Sequence, residues 1–269
     1  MKIVKKICLI VALVISMIYH GMIAHNMAEK FFCGQMLKAI ENDDMQRLKV
    51  ALFFGDPNSS LGIPLLDVLS ERTDRRTPLQ AACEKGDFEM VKVLVENGAD
   101  VNYTSWNASD PALNYAVEND TPENLEIVRY LIENDADVNP SKYSVRSPLF
   151  WLLSDKELPQ NGMEILRELV NAGANVEDSY QAFYWGNNEV IQYLIEECGL
   201  EVSDYLYMYL YCRGFGGYSY EIFELMMQHG ASPYAKNKDG VCGMDHLKKV
   251  SPEWAETVAE MAKEYGFEG

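Results

Sequence analysis

Basic residues are scarce in this sequence relative to acidic ones. The chain of 269 residues has 23 Lys and Arg against 41 Asp and Glu, which gives a formal net charge of −18 at pH 7. A surface of this charge repels phosphate backbones and anionic lipid headgroups, so nucleic-acid binding is disfavoured. The same charge favours solubility and, where it is concentrated, fast encounter with a basic partner.

Residues that often bind metals or act as catalytic bases are also few. Of the four histidines, His20 and His25 lie near the N-terminus, and His229 and His246 have no recognisable partner in the sequence. His229 precedes a Gly-Ala turn, where we expect it to cap the carboxyl end of a helix. The six cysteines form no Cys-x-x-Cys pair and do not cluster with histidine, so neither a zinc site nor a redox pair is indicated. We expect most of them to be small core residues.

Two further kinds of site lack their sequence pattern. The glycine-rich segment 214–217 is not followed by the Lys-Ser/Thr of a phosphate-binding loop, and we interpret it as an inserted loop. The acidic residues do not follow the spacing of a calcium-binding loop. We therefore predict no enzyme, no cofactor, no metal and no small-molecule substrate.

The N-terminal segment differs in composition from the rest of the chain. Three lysines within the first six residues precede the apolar run 7–19, and no acidic residue occurs before Glu29. This pattern is typical of a secretory signal peptide, here with cleavage after Ala24. Extended to Ala24, the apolar stretch is long enough to remain as an anchor in the inner membrane. In both versions the remaining chain is exported. With cleavage it is periplasmic or secreted, and without cleavage it stays anchored in the inner membrane and faces outward.

The most informative segment, 77–102, reads as two short helices and a turn. Thr77 is a suitable helix N-cap, and Pro78 suits the first helical position because its missing N–H has no partner there. Gly86 ends the first helix, and Gly98 supplies the left-handed residue after the second. The expected apolar stripes are Leu79, Ala82 and Cys83 in the first helix and Met90, Val91, Leu94 and Val95 in the second.

With its T-P-L-Q-A-A start, E-M-V-K-V-L-V helix and G-A-D-V-N end, this segment resembles the ankyrin repeat. It departs from the family at Gln80, where a histidine usually bonds to the threonine, so we expect this polar network to be altered. One repeat cannot bury its own apolar face, and the resemblance therefore implies an all-α solenoid of stacked units.

The same frame recurs along the chain, which a chance motif would not do. Further copies occupy 113–139, 147–176 and 182–200, and degenerate ones occupy 36–58 and 205–233. This gives about six helix-turn-helix units with degenerate capping repeats at the ends and insertions at 59–73, near 121–122 and at 156–162. We predict a repeat array over 25–238 after the segment 1–24, and a helical C-terminal cap over 239–269, with Trp254, Val258 and Met261 on one stripe.

The resemblance also implies where a partner binds, because ankyrin repeats usually bind through the projecting finger turns and the concave surface. The predicted partner-binding residues in these turns are Asp74, Arg75, Arg76, Tyr103, Trp106, Asn107, Lys142, Tyr143 and Arg146. Aromatic residues and arginine contribute much binding energy per side chain. The alternative is that the aromatic residues pack on adjacent repeats and the arginines screen the acidic surface.

Four alternating tyrosines, at 205, 207, 209 and 211, taken alone suggest a strand, but the repeat frame predicts a helix there. Tyr205 and Tyr209 would then share one face, and we favour a packing role over a binding role. The function predicted from the whole sequence is an exported, monomeric, non-catalytic scaffold for a protein partner, and the sharper version of this prediction is a basic partner. The alternatives are a membrane-anchored assembly platform and, less favoured, an enzyme with a site in the insertions.

Overall fold

Helices account for most of the described residues. The computed structural model describes residues 2–60, 76–104, 110–140, 146–212, 219–237 and 240–268, without the side chains of 2–16, 19, 20, 211 and 212. The helices of this described part are α1 (Lys2–Glu41), α2 (Met45–Phe54), α3 (Pro78–Lys85), α4 (Phe88–Glu96), α5 (Ala112–Glu118), α6 (Asn124–Glu133), α7 (Pro148–Leu152), α8 (Gly162–Asn171), α9 (Tyr180–Trp185), α10 (Asn188–Glu196), α11 (Ser203–Cys212), α12 (Tyr220–Gln228), α13 (Gly243–Val250) and α14 (Pro252–Glu264). A single 3₁₀ turn, Val176–Ser179, precedes α9.

The helices form two layers, and each unit contributes one helix to each layer. In the first layer α1 packs on α3, α3 on α5, α5 on α7, α9 on α11 and α11 on α13. In the second layer α2, α4, α6 and α8 pack in order, as do α10, α12 and α14. We number the units 1 to 7 from α1–α2 to α13–α14. The predicted all-α solenoid is confirmed by this arrangement.

Unit 2 shows why the sequence folds this way. The Thr77 hydroxyl accepts from the Gln80 N–H at 3.3 Å, and the Gln80 side chain accepts from the Thr77 N–H at 2.8 Å, which closes a capping box. Gly86 ends α3 with φ of 77°, and Gly98 follows α4 with φ of 87°, values that favour glycine. The caps and both left-handed glycines of this unit are as predicted.

The core lies between the layers and runs the length of the stack. In unit 2 it contains Leu79, Ala82 and Cys83 from α3 and Met90 and Leu94 from α4, each at most 1% exposed. Cys33, Cys83 and Cys242 are buried thiols, so the expectation of core cysteines is confirmed for these three, and Cys198 is half-buried and packs against the core. Burial raises the pKa of the Cys83 thiol far above its usual range, which keeps it protonated.

The N-terminal helix is continuous from Lys2 to Glu41, so the predicted boundary at Ala24 lies inside it. Its last turns belong to unit 1, with Cys33, Met36 and Ala39 fully buried. Residues of the preceding turns are exposed, including Met17 at 75% and Met22 at 66%. Where side chains are described, no helix combines the length and apolar character needed to span a membrane.

The C-terminal region contains two helices, α13 and α14, and so forms a seventh helix pair. Ser251 is not helical and separates α13 from α14. Pro252 starts α14 because the first helical position tolerates its missing N–H. Val258 and Met261 are buried as predicted, and the Trp254 ring lies 6.0 Å from that of Phe223 in α12. This pair covers the apolar face of unit 6.

Candidate functional site

The turns between units share one local structure. We number the first five of them turn 1 (54–58), turn 2 (98–102), turn 3 (135–139), turn 4 (173–177) and turn 5 (199–203). In turns 1 to 4 an Asp or Asn side chain accepts from the backbone N–H two residues later. These bonds run from Asn58 to Asp56, from Asn102 to Asp100, from Asn139 to Asp137 and from Glu177 to Asn175, over 2.9 to 3.2 Å.

Asparagine side chains also join each turn to the next. The Asn102 amide donates to the Asp135 carbonyl at 2.8 Å and accepts from the Asp137 N–H at 2.7 Å. The same pair of bonds connects Asn58 to Gly98 and Asp100, and Asn139 to Gly173 and Asn175, over 2.6 to 3.1 Å. We call these three bridges the asparagine ladder. The ladder fixes turns 1 to 4 as one row.

The ladder is interrupted at turn 4. Its fifth residue, which corresponds to Asn102 and Asn139, is Glu177. An ionised carboxylate cannot donate a hydrogen bond, so it cannot reproduce the bridge to the next turn. Turn 5 has Glu201 and Ser203 in the corresponding places, and the Ser203 hydroxyl donates to Glu201 at 3.2 Å.

A second set of bridges lies beneath the turns. The Gln80 amide donates to the carbonyls of Tyr103 at 3.1 Å and Asp110 at 3.0 Å, in addition to its bonds with Thr77. Glutamine therefore keeps a bond to the threonine and in addition reaches the start of the next unit. Asn114 plays a related part in unit 3, where its amide donates to the Arg146 carbonyl at 2.9 Å.

Three predicted partner-binding residues lie in the described part of the chain. Arg76 forms an ion pair with Glu84 of α3. The Arg146 guanidinium lies 4.3 Å from the centre of the Phe150 ring and donates to the Tyr180 hydroxyl at 2.8 Å. Tyr103 is half-buried beside the Gln80 bridge. The other six, Asp74, Arg75, Trp106, Asn107, Lys142 and Tyr143, lie outside the described residues.

Both described arginines thus contact their own chain. Arg76 pairs with an acidic side chain, as the alternative interpretation from the sequence expected, whereas Arg146 contacts a phenyl ring and a tyrosine hydroxyl. The Arg146 side chain remains exposed and Arg76 is partly exposed. Their contacts hold the guanidinium groups in fixed positions at the edge of the first layer, where a partner can still reach them.

A cavity of about 830 Å³, not predicted from the sequence, opens on this surface. It lies between turns 4 and 5, where the ladder is interrupted. Its lining residues are Val176, Glu177, Tyr180, Gly199, Leu200, Glu201, Ser203, Asp204, Tyr205 and Met208. A glutamate at a ladder position was the signal in the sequence that could have indicated this place.

The α11 tyrosines are partly as expected. Residues 203–212 form a helix, and Tyr209 is fully buried with its ring 5.1 Å from Phe223. Tyr205 is half-buried and faces the cavity, where its hydroxyl donates to the Glu177 carbonyl at 2.9 Å. The face of α11 that Tyr205 and Tyr209 share therefore contains one residue that packs in the core, Tyr209, and one that lines the cavity, Tyr205.

Another acidic cavity, of about 230 Å³, lies between units 3 and 4 beside Glu118 and Asp155. Glu118 keeps access to solvent, but desolvation and then the carboxylates of Asp110 and Asp155 raise its pKa to about 7. In the ranges described above, no group of three or more His, Cys, Asp or Glu side chains is placed to hold a metal ion. His229 caps α12 as expected, with Nδ1 2.9 Å from the Leu225 carbonyl oxygen.

Comparisons with known proteins agree with the repeat assignment. A family model described as ankyrin repeats (3 copies) matches residues 36–142. The crystal structure of the human ASB11 ankyrin repeat domain is similar, with a TM-score of 0.61 and 18% identity, over 87% of this chain and 98% of that domain. At this identity the likeness shows the fold alone. No curated protein matches the sequence.

Proposed function

We propose that this chain, an ankyrin-repeat protein, is an exported, non-catalytic scaffold that binds a protein partner through its turns and its first helix layer. Ankyrin repeats generally serve as protein–protein interaction modules, and the partner surface lies on residues that vary around a constant scaffold. A site on such a scaffold consists of a shape and a set of side chains held in place, without a reacting group.

The asparagine ladder carries this proposal. It joins turns 1 to 4 through side-chain bonds, so their backbone does not have to be ordered when a partner binds. A preorganised surface loses less conformational entropy on association, and more of its contact energy remains as affinity. Tyr103 and Arg146, beside this row, are of the residue types that dominate binding surfaces.

The test is affinity capture from the native cell, with a variant that changes only the proposed surface. Trp106→Ala, Tyr143→Ala and Arg146→Ala together remove two aromatic rings and one guanidinium from the finger region. The control variant, Glu96→Ala, Glu133→Ala and Gln192→Ala, changes exposed residues of the second layer. We expect one protein to be captured by the wild type and the control and lost by the finger variant, with equal helical circular dichroism in all three. Equal capture by all three chains would refute the finger surface.

The continuous helix α1 favours a second candidate, a platform tethered to the inner membrane. The apolar segment and the first buried helix of the array are one helix, so an uncleaved N-terminus would hold unit 1 directly at the bilayer. The exposed Met17, Ile18, Met22 and Ile23 are apolar, as a lipid-facing surface requires. Cleavage after Ala24 would leave the buried part of α1 with the array, so both versions keep unit 1 intact.

N-terminal sequencing of the protein from fractionated cells separates the two candidates. A chain that begins at His25 in the soluble fraction supports the exported scaffold. A chain that keeps its first residues and resists extraction at alkaline pH supports the tethered platform. Recovery of the full chain from the cytoplasm would refute export in either form.

A further inference from the structure

The cavity between turns 4 and 5 has a defined place in the repeat frame. Val176 and Glu177 border it from turn 4, and Leu200 and Glu201 border it from turn 5. The first helices of units 5 and 6 contribute further walls, with Tyr180 from the start of α9 and Tyr205 from α11. Turns and first helices are the surfaces through which the proposed function operates, so the cavity lies within the region expected to contact a partner.

The break in the ladder determines what this cavity presents. At the preceding junctions an asparagine offers one donor and one acceptor, and both are used by the next turn. At the junction between units 4 and 5 the same position is Glu177, an exposed carboxylate with acceptors only. A donor group from outside the chain is therefore the chemical complement of this position.

The charges around the cavity have one sign. Glu177, Glu201 and Asp204 are exposed at its rim, and none of its lining residues is a lysine, arginine or histidine. The guanidinium of Arg146, which donates to the hydroxyl of the lining residue Tyr180, also lies over the Phe150 ring. Desolvation, and then the carboxylates of Glu177, Asp178 and Asp204, raise the pKa of Tyr205, which agrees with a negative potential at this wall.

The walls of the cavity suit the apolar methylene groups of a long cationic side chain. Tyr205 is held in place by its bond to the Glu177 carbonyl and by the Phe183 ring, 4.6 Å away. Tyr180 is held by Arg146, and Met208 adds a deformable apolar side chain. Tyrosine faces attract cations, and more strongly where water is partly excluded.

We propose that this cavity binds the side chain of an arginine from a basic segment of the partner protein. A guanidinium combines several fixed donors with a flat face, and so fits carboxylates at the rim and tyrosine rings on the walls at once. The cavity, the interrupted ladder and the charge of one sign all lead to this ligand. The inference rests on the proposed scaffold function and names the chemistry of its partner.

The probe is a fluorescently labelled peptide with two arginines in a Gly-Ser sequence, titrated into the full chain in mild detergent and followed by anisotropy. A peptide with citrulline in both places keeps the shape and removes the charge. The cavity variant is Glu177→Gln, Glu201→Gln and Asp204→Asn. Its charge-matched control is Glu89→Gln, Glu96→Gln and Glu133→Gln, which neutralises three exposed carboxylates of the second layer.

We expect the arginine peptide to bind the wild type and the control alike, within about twofold, because distant surface charges are screened at physiological salt. The cavity variant should bind at least about tenfold more weakly, and the citrulline peptide should not bind measurably. Equal losses in the two triple variants would reduce the effect to general electrostatics and overturn the proposal. Absence of binding to the wild type would also overturn it.

A further variant, Glu177→Asn, restores the residue found at the earlier junctions. We expect it to weaken peptide binding while raising the resistance of the chain to urea, since the new amide can bridge to turn 5. Stronger peptide binding in this variant would contradict the assignment. If peptide binding fails but capture of a partner still depends on Trp106, Tyr143 and Arg146, the cavity proposal falls and the scaffold function stands.

Discussion

Removal of one asparagine from the ladder should destabilise the array by more than its exposed position suggests. Asn102→Ala deletes two hydrogen bonds between units 2 and 3, of 2.8 Å to the Asp135 carbonyl and 2.7 Å from the Asp137 N–H. A typical intramolecular hydrogen bond contributes about 0.5–1.5 kcal/mol net. Both freed backbone groups are at the surface and can bond to water, so we expect a loss of about 1–2 kcal/mol in the free energy of unfolding.

The control for this experiment is Asn97→Ala. The Asn97 amide donates to the Val93 carbonyl within its own helix at 2.7 Å and reaches no other unit. Urea unfolding followed by circular dichroism at 222 nm gives the free energies of unfolding, provided that the wild type and both variants have the same slope with urea. We expect Asn102→Ala to cost at least about 1 kcal/mol more than Asn97→Ala. Equal costs would refute the view that the ladder couples neighbouring units.

Three further predictions concern the interior and pH. Asn124 is fully buried and donates to two carbonyls at 2.6 and 2.7 Å, so Asn124→Ala should cost about 2–4 kcal/mol in urea unfolding, because both bonds are lost and the buried Asn119 carbonyl loses its donor. Phe223→Ala should cost about 3–5 kcal/mol and release α14 from the stack, as seen by faster amide exchange there. Because the pKa of Glu118 is raised to about 7, its contribution to stability is present below its usual pKa and is lost as the pH rises through 7. Glu118→Gln should therefore raise the melting temperature at pH 8 more than at pH 4, and equal effects at the two pH values would contradict this.

The fold of each unit could be predicted from local residue patterns because each cap and turn depends on a few neighbouring residues. Thr77, Gly86 and Gly98 indicate the ends of the helices in unit 2 without reference to any other unit. The break at Ser251 was missed although Pro252 follows it, because a proline at the first helical position is as consistent with a new helix as with a kink. Bounds of this kind depend on packing against the preceding unit.

The cavity could not be predicted in the same way. A sequence shows that turn 4 has Glu177 in place of an asparagine, but not how far turns 4 and 5 then separate. That separation is set by the packing of α9 and α11, whose side chains come from distant parts of the frame. The predicted finger residues followed from the family alone, and contacts such as those of Arg146 with Phe150 and Tyr180 depend on side-chain positions that only the structure supplies. Export and cleavage after Ala24 remain predictions.

Glu177 separates a block of units 1 to 4, which the asparagine ladder joins, from a block of units 5 to 7, where no ladder bridge is described. In a linear array the stability of the whole is close to a sum of unit terms and nearest-neighbour coupling terms, so the weakest coupling sets where the chain opens first. Units 1 to 4 share three ladder bridges, whereas the junction with unit 5 has a carboxylate at that place. Partial unfolding should therefore begin in units 5 to 7, whose described turns lack the ladder bridges, and leave units 1 to 4 folded. A partner bound in the cavity would act as the missing rung, and its binding energy would appear as coupling between the two blocks.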